Sequence, residues 1–209
     1  AAFRLLRYRS LVVLLLVSLV LTALDRILLL QTAPFLQWIG IRTSHVMPAM
    51  AVGQMGEILM MLLLGLVLTR LGFRTVLICG ACCYLLRFCI FASPGLPVGV
   101  IVVSQLLHGI CFTCGLTASA IYIDRLAPRD ARHSAQSGFT LAAVAPGSVL
   151  GGLLNGLLST TWSEAGQIGY AGFWYSCAGV SLLALLGLVI CFRDDSDSCS
   201  GSVPPRGAT

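Results

Sequence analysis

Charged side chains are scarce in this sequence. They make up 10% of the 209 residues, whereas apolar residues make up 57%. The apolar residues fall into repeated runs of about 20, and a helix of that length spans roughly 30 Å of hydrocarbon. A soluble domain of this size does not need so much apolar surface. The composition therefore excludes a soluble protein and predicts an integral, multi-pass membrane protein.

Six apolar runs are long enough to cross a bilayer. They cover residues 11–32, 47–69, 75–93, 98–123, 134–160 and 168–192. The predicted fold class is therefore an all-α membrane protein, with a bundle of six transmembrane helices over residues 1–192. After Phe192 the composition shifts to Asp, Ser, Gly and Pro, which bury too little apolar surface to order a chain. We therefore expect residues 193–209 to form a disordered cytoplasmic tail.

Lysine is absent, so arginine carries all of the basic side-chain charge, and its distribution predicts the orientation. Only Arg42 lies in a loop on one face of the predicted bundle. By the positive-inside rule the opposite face is cytoplasmic, and both termini lie there because the number of spans is even. We expect a plasma membrane or a bacterial inner membrane, and the net charge of +5 needs no nucleic-acid partner. The arginines of the cytoplasmic face are Arg4, Arg7, Arg9, Arg70, Arg74, Arg125, Arg129, Arg132, Arg193 and Arg206.

Signatures of enzymes and of metal sites are also missing. No Gly-x-Ser-x-Gly or His-Glu-x-x-His motif occurs, although Ser104 and His108 share a predicted helix face. Two Cys-x-x-Cys pairs, at residues 79–82 and 111–114, have Ile, Leu and Phe as neighbours, where cysteine behaves as a small apolar residue. We therefore expect neither an enzyme nor a metal or other cofactor. An intramembrane hydrolase and a structural zinc site are the alternatives.

A carboxylate near the middle of the second predicted span points to transport. Glu57 lies deep in the apolar run, and Gln54 precedes it by three residues, on the same helical face. A charged side chain at the centre of a membrane helix costs about 2.5–3.5 kcal/mol, so it is retained mainly in an ion, proton or substrate pathway. Gln54 offers both a donor and an acceptor to a polar ring edge. Glu57 can accept a hydrogen bond or carry a proton.

Four further ionisable side chains lie within the predicted spans. Counted from the span ends at about 1.5 Å per residue, His108 lies near the midplane, as Glu57 does. Asp25, Arg26 and Arg87 lie roughly 10 Å below the outer surface. Two acids against two arginines is the balance expected of buried charges that pair. We therefore expect one polar cavity that holds these groups. The alternative is a static ion-pair network that only joins helices.

The loop after the second span resembles a signature of the major facilitator superfamily. Residues 65–74 are similar to the pattern G-x3-D-R-x-G-R, with Thr69 in place of the usual Asp. In that superfamily the loop lies on the cytoplasmic side, between the second and third helices of each six-helix half. Further stretches, taken in their order and spacing, resemble its nucleoside:proton symporter family. These are residues 53–57 (GQMGE), 85–88 (LLRF), 107–112 (LHGICF), 121–124 (IYID) and 134–136 (SAQ).

This resemblance implies the C-terminal half of a twelve-helix transporter, whose N-terminal six helices lie outside this chain. It implies proton-coupled uptake of nucleosides or a similar small polar solute by alternating access, with solute, protons and the lipid bilayer as partners. Gln54, Glu57, His108 and Phe112 match positions that contact the substrate, and an aromatic ring such as Phe112 can stack a base or a sugar. Glu57 is the best match for proton coupling, and Asp25 is the next candidate.

Arg26 and Arg87 are the expected intramembrane charge partners of these acids. The chain also departs from the family pattern next to Phe112. Thr113 stands where family members tend to carry an acid, and Cys114 and Gly115 replace aromatic residues. These departures leave a second hypothesis open, a degenerate transporter-like protein or a receptor without transport activity.

The arginine asymmetry predicts which loops face outward. In a variant whose native cysteines are replaced, Arg42→Cys or Glu164→Cys should react with a membrane-impermeant maleimide added to intact cells. Arg129→Cys should react only after the membrane is opened, because a positively charged loop stays in the cytoplasm. Labelling of Arg129→Cys alone in intact cells would reverse the topology and contradict the family resemblance.

Overall fold

The structure, a computed structural model, describes residues 9–93, 95–127, 132–164 and 166–192. The predicted tail at residues 193–209 lies outside these residues. Within them the chain is almost entirely helical, with five long helices and one short hairpin. The helices are α1, Arg9–Trp38; α2, Thr43–Ala92; α3, Val98–Leu126; α4, Arg132–Thr161; and α5, Tyr170–Cys191.

All five helices are long and apolar enough to cross a membrane, which confirms an all-α membrane fold. Five continuous helices nevertheless stand where six spans were predicted. The difference lies in α2, which is 50 residues long and contains both the second and the third predicted span. The two spans meet at Gly72, where the backbone leaves the helical region with φ 73° and ψ 163°. Glycine adopts this positive φ because it has no Cβ to strain.

The segment of α2 before Gly72 runs in the same direction as α3. Gly53 lies against Gln105, and three residues later Gly56 lies against Gly109. The contacts therefore advance along both helices together. Because glycines occupy three of these four positions, the two backbones approach each other directly.

The segment of α2 after Gly72 runs the opposite way along α3. Gly80 lies against Gly115, whereas Arg87, further along α2, reaches Gln105, which comes earlier in α3. The contacts on α3 therefore recede as α2 advances. The two segments of α2 consequently lie on α3 with opposite polarity.

Two helices each contain one π-helical turn. In α4 this turn is Thr140–Val144, and Pro146 follows it. Proline has no N–H, and its ring crowds the carbonyl four residues earlier, so the wider turn lets the helix continue. In α3 the turn is Thr113–Thr117, directly after Phe112. π-Helical turns are frequent at functional sites, and this one adjoins a predicted substrate contact.

A two-stranded antiparallel hairpin joins α4 to α5. Its strands are β1, Ser163–Glu164, and β2, Gln167–Ile168. The last span was predicted to begin at residue 168, but the helix begins at Tyr170. The reason is that residues 167 and 168 are paired with β1 and are not available to start a helix.

Aromatic rings pack at both ends of the bundle. At one end Trp174 of α5 is fully buried, with its ring centroid 5.5 Å from that of Phe35 and 5.2 Å from that of Phe91. At the other end Tyr122 of α3 lies 5.2 Å from Phe73 of α2. Such pairs contribute about 0.5–1.5 kcal/mol each beyond the area they bury. They join the helix ends, so the polar residues between them are held in the middle of the bundle.

The close approach of α2 and α3 predicts that Gly109 tolerates no side chain. A Cβ at Gly109 would overlap backbone atoms of Gly56 and Glu57, which cannot move aside as the end of a side chain can. Gly109→Ala should lower the free energy of unfolding by about 1–3 kcal/mol, the usual cost of overpacking, and with it the melting temperature in detergent. Gly65→Ala is the matched control, since nothing lies within 4 Å of a Cβ at Gly65. An equal decrease in both variants would contradict this packing.

Candidate functional site

A cavity of about 260 Å³ lies between α1, α2 and α3. Each of the three helices contributes two polar or charged side chains to its wall, and apolar side chains complete it. Polar groups in a bundle that faces hydrocarbon cost free energy unless they are paired or used. The polar lining residues are Asp25 and Thr32 of α1, Gln54 and Arg87 of α2, and Gln105 and His108 of α3.

Asp25 is the acidic group of this cavity. The hydroxyl of Tyr84 donates a hydrogen bond of 3.1 Å to Oδ1 of Asp25, and Nδ1 of His108 lies 3.8 Å from the same oxygen. The side chains of Asp25 and His108 are each 20% exposed, so both reach the cavity from a mostly buried position. Oδ2 of Asp25 has no hydrogen-bond partner among the described residues. A carboxyl group held on one oxygen and free on the other can take up a proton or accept a ligand hydroxyl.

Arg87 is the buried cation of the same cavity, with 2% of its surface exposed. Its Nη2 donates a hydrogen bond to Oε1 of Gln105, and its guanidinium carbon lies 5.2 Å from the centroid of the Phe91 ring. Nε and Nη1 of Arg87 and Nε2 of Gln105 have no partner in the described part of the chain, and no carboxylate there forms an ion pair with Arg87. A buried charge normally fills its hydrogen bonds, so this arginine is under-satisfied.

The position of His108 in the wall follows from the close crossing of α2 and α3. A Cβ at Gly53 would lie 3.2 Å from the Gln105 carbonyl oxygen and 3.4 Å from Cβ of His108. Glycine leaves this space open, so the imidazole lies directly beside α2. Gln54, the next residue of α2, lines the same cavity. The glycine therefore allows polar side chains from two helices to meet.

The structure brings four of the predicted site residues together. The predicted residues that line this same cavity are Asp25, Gln54, Arg87 and His108. Glu57 does not line it. The Glu57 side chain is partly buried, three residues along α2 from Gln54, and has no hydrogen bond or ion pair within the described residues.

Phe112 and Arg26 also lie outside the cavity wall. The ring centroid of Phe112 is 6.3 Å from that of His108, one turn further along α3. Arg26 is exposed on the side of α1 that faces α4, where a Cβ at Gly151 would meet its side chain. Arg26 is therefore not an ion-pair partner of Asp25 in this structure.

Tyr84 and Gln105, the hydrogen-bond partners of Asp25 and Arg87, were not predicted as site residues. Each lies three residues before a predicted one, Arg87 and His108 respectively, and so on the same helical face. Gln105 is a polar side chain within an apolar run, which is a signal that the sequence does contain. Tyr84 carries no comparable signal, since a tyrosine is unremarkable in a membrane helix.

The two alternative chemistries find no support in this region. Among the described residues, no three His, Cys, Asp or Glu side chains come together in a way that could hold a metal ion. Oγ of Ser104 donates a 2.7 Å hydrogen bond to the Ile101 carbonyl, and not to His108 as a nucleophile and base would require.

Comparison with known proteins gives a family match. The model of the Nucleoside H+ symporter family matches residues 1–197. Nucleoside permease NupG of Escherichia coli K12 is 24% identical over 153 residues, which cover 72% of this chain and 37% of the permease. The putative nucleoside transporter YegT of the same strain is 26% identical over 168 residues, 75% of this chain and 40% of that protein.

A solved structure has the same fold, as judged by superposition of the two structures. The crystal structure of the nucleoside transporter NupG, at 22% identity, superposes with a TM-score of 0.82 over 92% of this chain and 50% of that chain. The fold is therefore that of the solved NupG structure, and the family model confirms the resemblance to the nucleoside:proton symporter family. This chain spans about half the length, or less, of the relatives it matches. These relatives are described as a permease and a putative transporter, not as enzymes.

The hydrogen bond of Arg87 predicts a strong dependence on Gln105. Gln105→Leu should lower the free energy of unfolding by about 1.5–3 kcal/mol, because it removes the acceptor from a buried cation. Arg87→Met/Gln105→Leu should recover most of that loss, because no buried charge remains. Thermal unfolding in detergent of both single variants and the double variant measures the coupling. Additive losses would show that the two side chains do not interact.

Proposed function

The chain belongs to the nucleoside H+ symporter family, and we propose that it forms the C-terminal six-helix half of a twelve-helix transporter. The proposed activity is proton-coupled uptake of nucleosides, or of a similar small polar solute, by alternating access. The activities described for the relatives, nucleoside permease and putative nucleoside transporter, favour this over a receptor or a degenerate transporter-like protein.

The observation that carries the proposal is the polar cavity in an otherwise apolar bundle. Within one space of about 260 Å³ its wall offers hydrogen-bond donors, acceptors and an acid. Transporters built from two six-helix repeats place their substrate between the repeats, near the bilayer midplane. The cavity is therefore one side of a substrate site, which the other half of the transporter completes.

Six membrane crossings account best for the course of α2. Its two segments contact α3 with opposite polarity, and each is long enough to cross a bilayer. The proposed topology places the kink at Gly72 on the cytoplasmic side with Arg70 and Arg74, and both termini with it. Residues 1–192 then form the bundle, in a plasma or bacterial inner membrane, and residues 193–209 form the cytoplasmic tail.

The open side of α4 is the proposed contact with the other half. In the apolar stretch of α4, 17% of the residues are buried, whereas 56% are buried in the corresponding stretch of α1. Gly138, Gly152 and Gly156 of α4 have nothing within 4 Å of a Cβ position. Small residues at such a surface let a second helix approach closely.

The proposed substrate contacts are Gln54, Glu57, His108 and Phe112. Gln54 and His108 line the cavity and can exchange hydrogen bonds with a base edge or a ribose hydroxyl. The Phe112 ring, next to His108 along α3, can stack a base. Glu57 is partly buried and unpaired among the described residues, so its carboxyl is free to face a solute between the two halves.

Proton coupling is assigned first to Glu57 and second to Asp25, with Arg26 and Arg87 as the intramembrane cations that balance them. An acid that faces outward takes up a proton together with the solute. When the transporter turns inward, the same acid meets a lower proton concentration and releases it. The proton gradient thereby drives the solute in one direction.

Replacement of Glu57 by Gln tests the first assignment, because it keeps the shape of the side chain and removes the ionisable group. In the complete transporter reconstituted in proteoliposomes, Glu57→Gln should no longer accumulate labelled nucleoside above the external concentration when a proton gradient is applied. Exchange without a gradient should continue, because alternating access itself needs no charge change at this site. Glu164→Gln, the same substitution in the α4–α5 hairpin, is the matched control and should behave as wild type.

The opposite result has a clear meaning. If Glu57→Gln still accumulates nucleoside with an unchanged pH dependence, Glu57 serves only binding or structure. Proton coupling then passes to Asp25, and Asp25→Asn becomes the variant that should lose accumulation.

A further inference from the structure

Arg87 has two possible partners in the cavity. In this structure its Nη2 donates to Gln105, which ties α2 to α3, while Nε and Nη1 have no partner in the described chain. Asp25 lines the same cavity from α1, and its Oδ2 is also unpartnered among these residues. A guanidinium stays protonated in a protein and binds a carboxylate through two parallel hydrogen bonds. The stronger of the two pairings is therefore the one that this arrangement leaves unmade.

Protonation of Asp25 would leave that pairing unmade. A neutral carboxyl attracts a guanidinium only weakly, so the amide oxygen of Gln105 competes with it. An ionised carboxylate in a cavity of low dielectric attracts the guanidinium far more strongly. Tyr84 donates its hydrogen bond to Oδ1 of Asp25 and so holds the side chain in place while its charge changes.

The other ionisable groups near Asp25 do not replace Arg87 in this role. Among them Arg26 is the only other permanent cation, and it is exposed on the side of α1 that faces α4. His108 lies 3.8 Å from Oδ1 and carries charge only when it is protonated. The groups that surround Asp25 are Arg26 on α1, Glu57, Tyr84 and Arg87 on α2, and His108 and Cys111 on α3.

α3 is irregular on both sides of the segment that carries the predicted substrate contacts. At Gln105 the helix tightens, since the amide of His108 donates to the Gln105 carbonyl, three residues back, at 2.8 Å. The regular turns of Leu106–Phe112 follow, and the π-helical turn Thr113–Thr117 comes next. A tight turn inside a helix often marks a hinge. Segment 106–112 therefore lies between two points where α3 can bend.

We infer that Gln105 and Asp25 exchange Arg87 between them as Asp25 gains and loses its proton. With Asp25 protonated, Arg87 stays on Gln105 and holds α3 against α2, as in this structure. With Asp25 ionised, Arg87 turns to Asp25, ties α2 to α1 and releases α3. Because α3 carries His108 and Phe112, the exchange transmits the proton state to the helix that faces the solute. The inference rests on the proposed proton-coupled uptake and adds Gln105 to it as a positioning residue.

The test uses the complete transporter in proteoliposomes, with labelled uridine and adenosine as probes. Gln105→Glu places a carboxylate beside Arg87, so the arginine stays at position 105 whatever the charge of Asp25. Gradient-driven accumulation should fall by about tenfold, within the range of roughly 5- to 150-fold that couplings between two sites usually show. The rate of exchange, measured at equal pH on both sides, should change with pH far less than in the wild type.

Gln31→Glu is the matched control, with the same substitution on α1. Gln31 is also buried, donates a hydrogen bond of 3.1 Å to Oγ of Ser159, and does not line the cavity. This variant should keep the wild-type pH profile. A loss of the pH profile in Gln31→Glu as well would show that any buried carboxylate has the effect, which overturns the inference.

Two further results would also overturn it. A Gln105→Glu transporter with unchanged accumulation and an unchanged pH profile would show that the Arg87 hydrogen bond is only structural. If Gln105→Glu fails to reach the membrane, Asp25→Asn is the deciding variant, because an amide cannot ionise. A wild-type pH profile of the exchange rate in Asp25→Asn would contradict the inference. A wild-type transporter that accumulates neither nucleoside under a proton gradient contradicts the proposed function itself, and the inference with it.

Discussion

Hydrocarbon offers no hydrogen-bond partner, so polar groups in the membrane helices of this chain depend on other protein groups for their hydrogen bonds. Two threonines of α1 meet this requirement locally: Thr22 donates to the Ser18 carbonyl at 2.7 Å, and Thr32 to the Leu28 carbonyl at 2.6 Å. Arg87 has no local solution, because a guanidinium carries five N–H donors and the carbonyls of its own helix are already bonded. It needs acceptors from other helices. The meeting of α1, α2 and α3 around one cavity follows from that need.

Helices that supply those acceptors must come close together, and glycine makes this possible. Gly53 and Gly109 bring α2 and α3 into backbone contact, while Gly147 and Gly151 let α4 approach the backbone of α1. In a membrane the hydrophobic effect does not drive helices together, so close packing and interhelical hydrogen bonds supply the free energy. The polar cluster therefore depends on the glycine contacts, which let its helices come close enough for their polar side chains to meet. A side chain at a crossing would move the cluster apart.

Incomplete satisfaction is what makes this polar cluster useful for transport. A fully paired network would be rigid, because one arrangement of its side chains would have a much lower free energy than all others. Within the described residues the guanidinium of Arg87 has unfilled donors and the carboxyl of Asp25 has an unfilled oxygen. Gln105 accepts one hydrogen bond from Arg87, and its own amide nitrogen has no partner there. Two arrangements of similar free energy are the condition for a proton or a solute to shift the balance between them. The proposed transport cycle and the proposed exchange of Arg87 both depend on this balance.

The sequence by itself determined the class of the protein, because the cost of placing charge in hydrocarbon is large and belongs to each residue separately. The apolar runs predicted the ends of α3, α4 and α5 to within three residues, but not that two predicted spans form the one helix α2. The motifs around Gln54 and His108 predicted the family. Only the tertiary structure decided which polar groups meet. Tyr84 reaches Asp25. Glu57 stays outside the cavity, although it lies as near the middle of its predicted span as His108 does, and His108 lines the cavity. Which way a side chain faces depends on the rotation and tilt of its helix, and these are set by contacts with residues distant in the chain.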